Sequence, residues 1–188
     1  MVVMATDQTA PAQLELVREF VNTRDIEDDT DSLSTPAEAV EWLTANGLDG
    51  GERSISAADH ERLIEVREAL RGLLLANNSG EPPPPSCLET LNEQSAEAAV
   101  VLRFDGDGAA LVTRCGGVDS AIARLLAIVH GAMNDRTWPR LKACPAEDCM
   151  YAFYDHSRNR SGTWCEMGEC GNRAKARRWR ERHKPASA

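Results

Sequence analysis

Cys144-Pro145-Ala146-Glu147-Asp148-Cys149 and Cys165-Glu166-Met167-Gly168-Glu169-Cys170 are two cysteine pairs, each with four residues between its members, and fifteen residues separate the pairs. Each pair can fold as a tight knuckle that presents two thiolates to one ion, and the stretch between is long enough to return the chain. Four thiolates at about 2.3 Å in a tetrahedron suit zinc, which accepts soft sulfur and has no redox chemistry. Four protein sulfurs close the site and leave no position for an activated water, so the spacing predicts one structural Zn2+ rather than a catalytic ion. Two disulfides would need an oxidising compartment. The spacing also differs from the usual ferredoxin runs, and four unrelated buried thiols would not repeat so regularly. Cys87 and Cys115 stand alone and read as small hydrophobes in a core.

Immediately after Cys170, residues 171–184 hold no helix breaker beyond Gly171 and read as a helix over 172–184 that starts at the second knuckle. Arg173, Arg177 and Arg180 recur on one side, and Lys175, Arg178 and Arg182 on an adjacent side. Such a concentrated, metal-anchored positive surface points to phosphate contact, with a solvated helix or one docked on an acidic partner as the alternatives. Arg158 and Arg160, in the stretch between the knuckles, can reach a second length of backbone. Six of the nine aromatic residues, Trp138, Tyr151, Phe153, Tyr154, Trp164 and Trp179, fall in this region. They read either as a mini-core over the zinc or, for one or two, as stacking platforms for bases. A segment of under 50 residues rarely supports its own core, so the metal is expected to fold it.

Charge follows the same division. The whole chain of 188 residues has a net charge of −9, which alone argues against nucleic acid. Residues 136–184 carry twelve Lys and Arg against six Asp and Glu, a net of +6, whereas residues 1–135 carry nine against twenty-four, a net of −15. This asymmetry suggests two units with different partners.

Upstream, the apolar spacing predicts helices over 14–24, from Thr35-Pro36-Ala37-Glu38 to Gly47, from Ser56 to about 76, over 86–93 and over 119–133. The acidic run 27–31 reads as a solvated loop, and Asn77–Gly80 with the prolines at 82–85 as a breaker and stiff connector. Residues 98–104 and 109–115 flank Asp105-Gly106-Asp107-Gly108 as a β-hairpin. The expected fold is mostly α with one β-hairpin in an N-terminal domain (1–135), then a small four-cysteine zinc-stabilised domain (136–184) of short strands plus one basic helix, and a tail (185–188). No apolar run reaches the ~18–20 residues of a membrane span, and Met1–Asp7 does not open a secretory signal, so a cytoplasmic location is expected.

The residues around the knuckles resemble a known family. Cys144-Pro145, Cys149, Ser157-Arg158-Asn159-Arg160-Ser161, Trp164-Cys165, Met167 and Cys170-Gly171-Asn172-Arg173-Ala174-Lys175-Ala176-Arg177-Arg178 are similar to the CGNR zinc finger over about residues 138–182. Phe20-Val21-Asn22-Thr23, the acidic loop and Ala39-Val40-Glu41-Trp42-Leu43 resemble the ABATE-type domain, which precedes that finger in bacterial proteins described as stress-induced transcription regulators. The resemblance implies a zinc site on Cys144, Cys149, Cys165 and Cys170, a DNA-binding role, and an N-terminal unit that senses a small-molecule effector. Within the motif, Gly171 is expected to let the backbone turn sharply. Asn172 is expected to cap the helix or bond to the knuckle, or else to read an adenine edge. Arg173 braces a carboxylate or binds phosphate.

The combined expectation is a zinc-dependent DNA-binding transcription regulator, possessing no enzymatic activity, with an N-terminal ligand-sensing or dimerising domain and a homodimer among its forms. Its DNA contacts would come from Arg158, Arg160, Asn172, Arg173, Lys175, Arg177, Arg178, Arg180 and Arg182. The rival readings are an RNA- or single-strand-binding finger and a protein-interaction module. The four histidines are scattered, and Asp155-His156-Ser157, being contiguous, is no triad.

Overall fold

The structure, a computed structural model, describes residues 8–11, 13–106 and 108–183. Lys184 and the tail lie outside these residues, as do the side chains of Arg178 and Glu181.

Two helices start where the sequence places their caps, at Thr35 and Ser56. Helix α1 (Leu14–Val21) buries Leu14, Val17, Phe20 and Val21 on one face. A two-residue hairpin, β1 (Arg24–Asp25) with β2 (Thr30–Asp31), follows it. Residues 27–30 of the acidic run are exposed, as expected of a solvated loop, and the turn is closed by the Asp25 carboxylate, which accepts from the backbone N–H groups of Glu27 and Asp28. In helix α2 (Pro36–Ala45), Thr35 accepts from the Glu38 N–H and donates to its carboxylate, which closes the first turn.

Helix α3 (Ala57–Ser79) is the central element, capped by Ser56 at one end and by left-handed Gly80 at the other. It runs three residues past the expected end. Asn77 and Asn78 do not break it, because their amides find carbonyl partners on a neighbouring element. Helix α4 (Pro85–Glu97) likewise extends beyond 86–93, since Pro85 starts a helix rather than continuing the connector. Arg62 of α3 links the next elements by bonding to Gln94, Glu97 and Asp119. Strands β3 (Val101–Asp105) and β4 (Gly108–Val112) form the expected hairpin with Val101 opposite Val112, and helix α5 (Gly117–Asn134) returns across the body.

A short 3-10 turn (Trp138–Arg140) leads into β5 (Leu141–Ala143), which pairs antiparallel with β6 (Ala152–Tyr154). Trp138, Leu141, Ala143, Ala152 and Tyr154 lie in the same buried cluster as Leu63, Leu70, Leu74, Ile122 and Leu125. A mini-core over the metal is one of the two readings open for the aromatic residues. Only Tyr151 and Trp164 pack there, while Trp138 and Tyr154 complete the main core. Cys87 packs against the edge of that core and Cys115 is half-buried outside it.

Side-chain amides join the hairpin to the helices. Asn77 donates to the Trp138 and Leu141 carbonyls, and Asn78 to those of Ala143 and Thr163, all at 2.7–2.9 Å. Asn22 satisfies both backbone groups of Ala152, accepting at 2.7 Å and donating at 2.9 Å. Asn22→Ala leaves both unpartnered, and its expected cost is about 1–3 kcal/mol, read as a lower urea midpoint at unchanged slope.

Candidate metal centre

The first knuckle is the loop of the β5–β6 hairpin. The Cys144 N–H donates to the Tyr151 carbonyl across the ladder, and the N–H groups of Cys149 and Met150 both return to the Ala146 carbonyl. Met150 takes a left-handed φ of 51°, which turns the chain back into β6. Its carbonyl accepts from Arg71 of α3 at 2.9 Å, and the same buried guanidinium donates to the Val21 carbonyl at 2.7 Å and to Glu68. The second knuckle ends in a π-helical turn (Met167–Gly171) that continues directly into helix α6 (Asn172–Arg182).

The four sulfurs of Cys144, Cys149, Cys165 and Cys170 lie within 4.8 Å of one another. Cys149 to Cys165 is 3.5 Å and Cys165 to Cys170 is 3.6 Å. A regular tetrahedron with metal–sulfur bonds of about 2.3 Å has sulfurs about 3.8 Å apart. Three of the four side chains are buried and Cys165 is half-buried. No disulfide joins any of the six cysteines.

Without a cation these thiols do not ionise together. Hydrogen bonds from Cys149 and then Cys165 pull Cys144 down to about 2, whereas Cys149, acting as donor to Cys144, is pushed up to about 12. Cys165 is pushed up as well, by its bonds to Cys144 and Cys149. A divalent ion would displace the protons that Cys149 and Cys165 retain. Donor softness, number and spacing fit one structural zinc held by these four cysteines. The ion would supply charge compensation and geometry, and the closed site offers no reactive position.

The surrounding residues hold this centre to the body. Arg173 Nη2 donates to Cys170 Sγ at 3.1 Å, and Nη1 donates to the Glu27 carboxylate at 2.5 Å. These bonds, Glu27 first, raise the guanidinium further above its ordinary range. Of the two roles that the sequence left open for Arg173, the structure shows the carboxylate brace. Asn172 bonds to the knuckle, donating to the Gly168 carbonyl at 2.8 Å. Gly171 has an ordinary helical backbone (φ −63°), not the sharp turn expected of it. Its lack of a side chain is required by space instead, since a Cβ would lie 3.2 Å from the Trp164 ring and closer still to Met167.

Arg173→Lys keeps the charge but cannot bridge Cys170 and Glu27 with one fork. The expected outcome is a zinc affinity about 10–100-fold weaker, measured by competition with a coloured chelator.

Sequence reasoning missed a buried ion pair behind the centre. Lys142 Nζ lies 2.7 Å from Asp155 and donates also to the Arg160 and Gly162 carbonyls at 2.8 Å, which uses all three of its protons. Asp155 accepts in addition from the Ser157 and Gly162 N–H groups at 2.9 Å. Burial pushes its carboxyl up, but the bonds from Lys142 and Ser157 outweigh this and hold it below the usual carboxylate range. Arg140 donates to the Asp155 and Ser157 carbonyls. The 155–162 loop that carries Arg158 and Arg160 is thus tied at both ends, and both arginines are exposed.

Of the remaining basic residues expected to touch DNA, Lys175, Arg177, Arg180 and Arg182 are exposed on α6. Trp179 is 57 % exposed and stacks on His183 with ring centroids 4.4 Å apart. No helix among the described residues is long and apolar enough to cross a membrane.

Residues 14–134 match the ABATE family model, whose description reads "Putative stress-induced transcription regulator", and residues 140–183 match the CGNR zinc finger. No curated protein matches the chain. Neither family description is that of an enzyme. The four-sulfur centre, the Cys170-Gly171-Asn172-Arg173 run that leaves it and the two matched segments lead to one conclusion: the chain belongs to the ABATE family and carries a CGNR zinc finger.

Proposed function

We propose that this protein is a DNA-binding transcription regulator whose zinc finger presents the contact surface and whose N-terminal unit senses a small-molecule effector in the cytoplasm. The observation that carries the reading is an exposed basic surface on rigid supports. Lys175, Arg177 and Arg180 stand on a helix that grows out of the metal-bearing turn, and Arg158 and Arg160 on the loop locked by Asp155. None of these five forms an ion pair among the described residues, whereas Lys142 and Arg173 are committed to Asp155 and Glu27. The acidic body repels a duplex and orients it toward this end.

Five phosphate contacts give an expected slope near −4.5 in log K against log[salt], about a 500-fold loss of affinity between about 50 and 200 mM salt. A fluorescence-anisotropy titration with duplex DNA at several salt concentrations checks it. A flat salt dependence, or no duplex binding at low salt, overturns the proposal. The exposed Trp179–His183 stack supports a second reading, a single-strand or RNA finger. Quenching of tryptophan fluorescence by single strands and not by duplex would select it.

A homodimer fits the same reading. The β3–β4 ribbon leaves Val101, Leu102 and Phe104 exposed, Phe104 by 76 %, and a two-stranded ribbon is marginal alone. Native mass spectrometry reads the oligomeric state directly.

A further inference from the structure

A cleft of about 400 Å³ opens where the C-terminal end of α3 meets the first zinc knuckle. Its walls bring together Leu75 and Ala76 of α3, Pro82 and Pro84 of the connector, and Pro145 and Met150 of the knuckle. Three prolines make these walls stiff. No charged residue lines the cleft, in a chain whose surface is otherwise densely charged. Its one amide, Asn78, is already committed to the Ala143 and Thr163 carbonyls. The volume falls within the ~300–1,000 Å³ typical of small-molecule sites.

The cleft reaches the metal centre through its lining on the knuckle side. Pro145 directly follows Cys144, and Met150 directly follows Cys149, so both wall residues on the knuckle side are chain neighbours of sulfurs in the metal centre. Met150 holds its left-handed backbone with its carbonyl on Arg71 of α3. A molecule in the cleft would therefore touch α3, the connector and the knuckle at once, and would bind best when their relative placement is fixed.

We propose that this cleft binds a small, neutral, apolar molecule and that occupancy is energetically linked to the metal centre. The proposal rests on the regulator reading only in that it names the effector site which that reading requires; binding and linkage themselves need no DNA.

The test uses the zinc-loaded full chain and the neutral fluorophore N-phenyl-1-naphthylamine. The expected result is saturable enhancement at one probe per chain. Ser79→Trp and Thr163→Trp, at two exposed residues of its lining, should abolish it, and Ala127→Trp, at a separate hollow beside α5, should leave it unchanged. Circular dichroism confirms that each variant is folded. Linkage predicts that saturating probe tightens the zinc affinity, measured by equilibrium competition with a chelator, by about fivefold. Non-saturable binding, binding unaffected by both cleft-filling variants, or an unchanged zinc affinity at saturation overturns the proposal. The anisotropy titration with duplex DNA is read separately, so loss of DNA binding with the cleft result intact condemns the regulator reading alone.

Discussion

Removing the metal, by chelation or by Cys144→Ser, is expected to lower the melting temperature of the entire chain rather than release a folded N-terminal unit. A structural zinc contributes on the order of 10–16 kcal/mol of apparent binding energy at neutral pH, comparable to the ~5–15 kcal/mol stability of a whole domain. In a finger joined by a free linker, that loss would stay local. Here Trp138, Leu141, Ala143, Ala152 and Tyr154 belong to the buried cluster of α3 and α5, and the hairpin that bears the last four is closed at its far end by Cys144 and Cys149. If even about 5 kcal/mol reaches the common core, Tm falls by roughly 10–20 °C for a chain of this size. Scanning calorimetry of the holo and metal-free protein should show one transition that moves as a whole. A high-temperature transition unchanged by chelation would contradict the shared core.

The second large effect belongs to Lys142. Lys142→Met keeps an unbranched chain of similar volume but leaves the Asp155 carboxylate buried with one partner fewer and the Arg160 and Gly162 carbonyls without a donor. Breaking a buried pair from one side typically costs about 3–5 kcal/mol. Urea unfolding at pH 7 measures it, and a loss under about 1 kcal/mol would show that water replaces the ammonium. The pair also has a pH signature. Asp155 is held below its ordinary value, so its contribution is present above the unfolded carboxyl pKa of about 3.9 and is lost as the pH falls through the lower folded value. The stability gap between the native protein and Asp155→Asn should therefore narrow only below about pH 4. Comparing the two proteins cancels the acid release of zinc, which both share.

Local chemistry made much of this architecture readable in the sequence. Thr35-Pro36, Ser56 and Gly47 announce helix ends because their signals are contained within a few residues. The four cysteines announce the metal because the spacing itself states the geometry. The unread part depends on partners distant in the chain. Asn77 and Asn78 look like breakers in isolation, since an amide competes with helical hydrogen bonds. They remain helical because carbonyls about 60–85 residues away accept from them. Lys142 looks like one more surface cation until Asp155, thirteen residues on, is folded against it. Glu27 gave no local sign that it would meet Arg173. For the same reason, the net of +6 read for residues 136–184 overstates what a ligand meets, because Arg173 is neutralised by Glu27, which lies outside that segment.

The shared core also sets the order in which the chain can mature. During translation α1, α3 and α5 are complete by Asn134, yet the flank of their cluster stays open until Trp138, Leu141 and finally Tyr154 have been added. At about 5–20 residues per second, those twenty residues take roughly one to four seconds. Throughout that interval the nascent helices expose apolar surface that nothing encoded upstream can cover. Folding of this protein is thus completed from its C-terminal side.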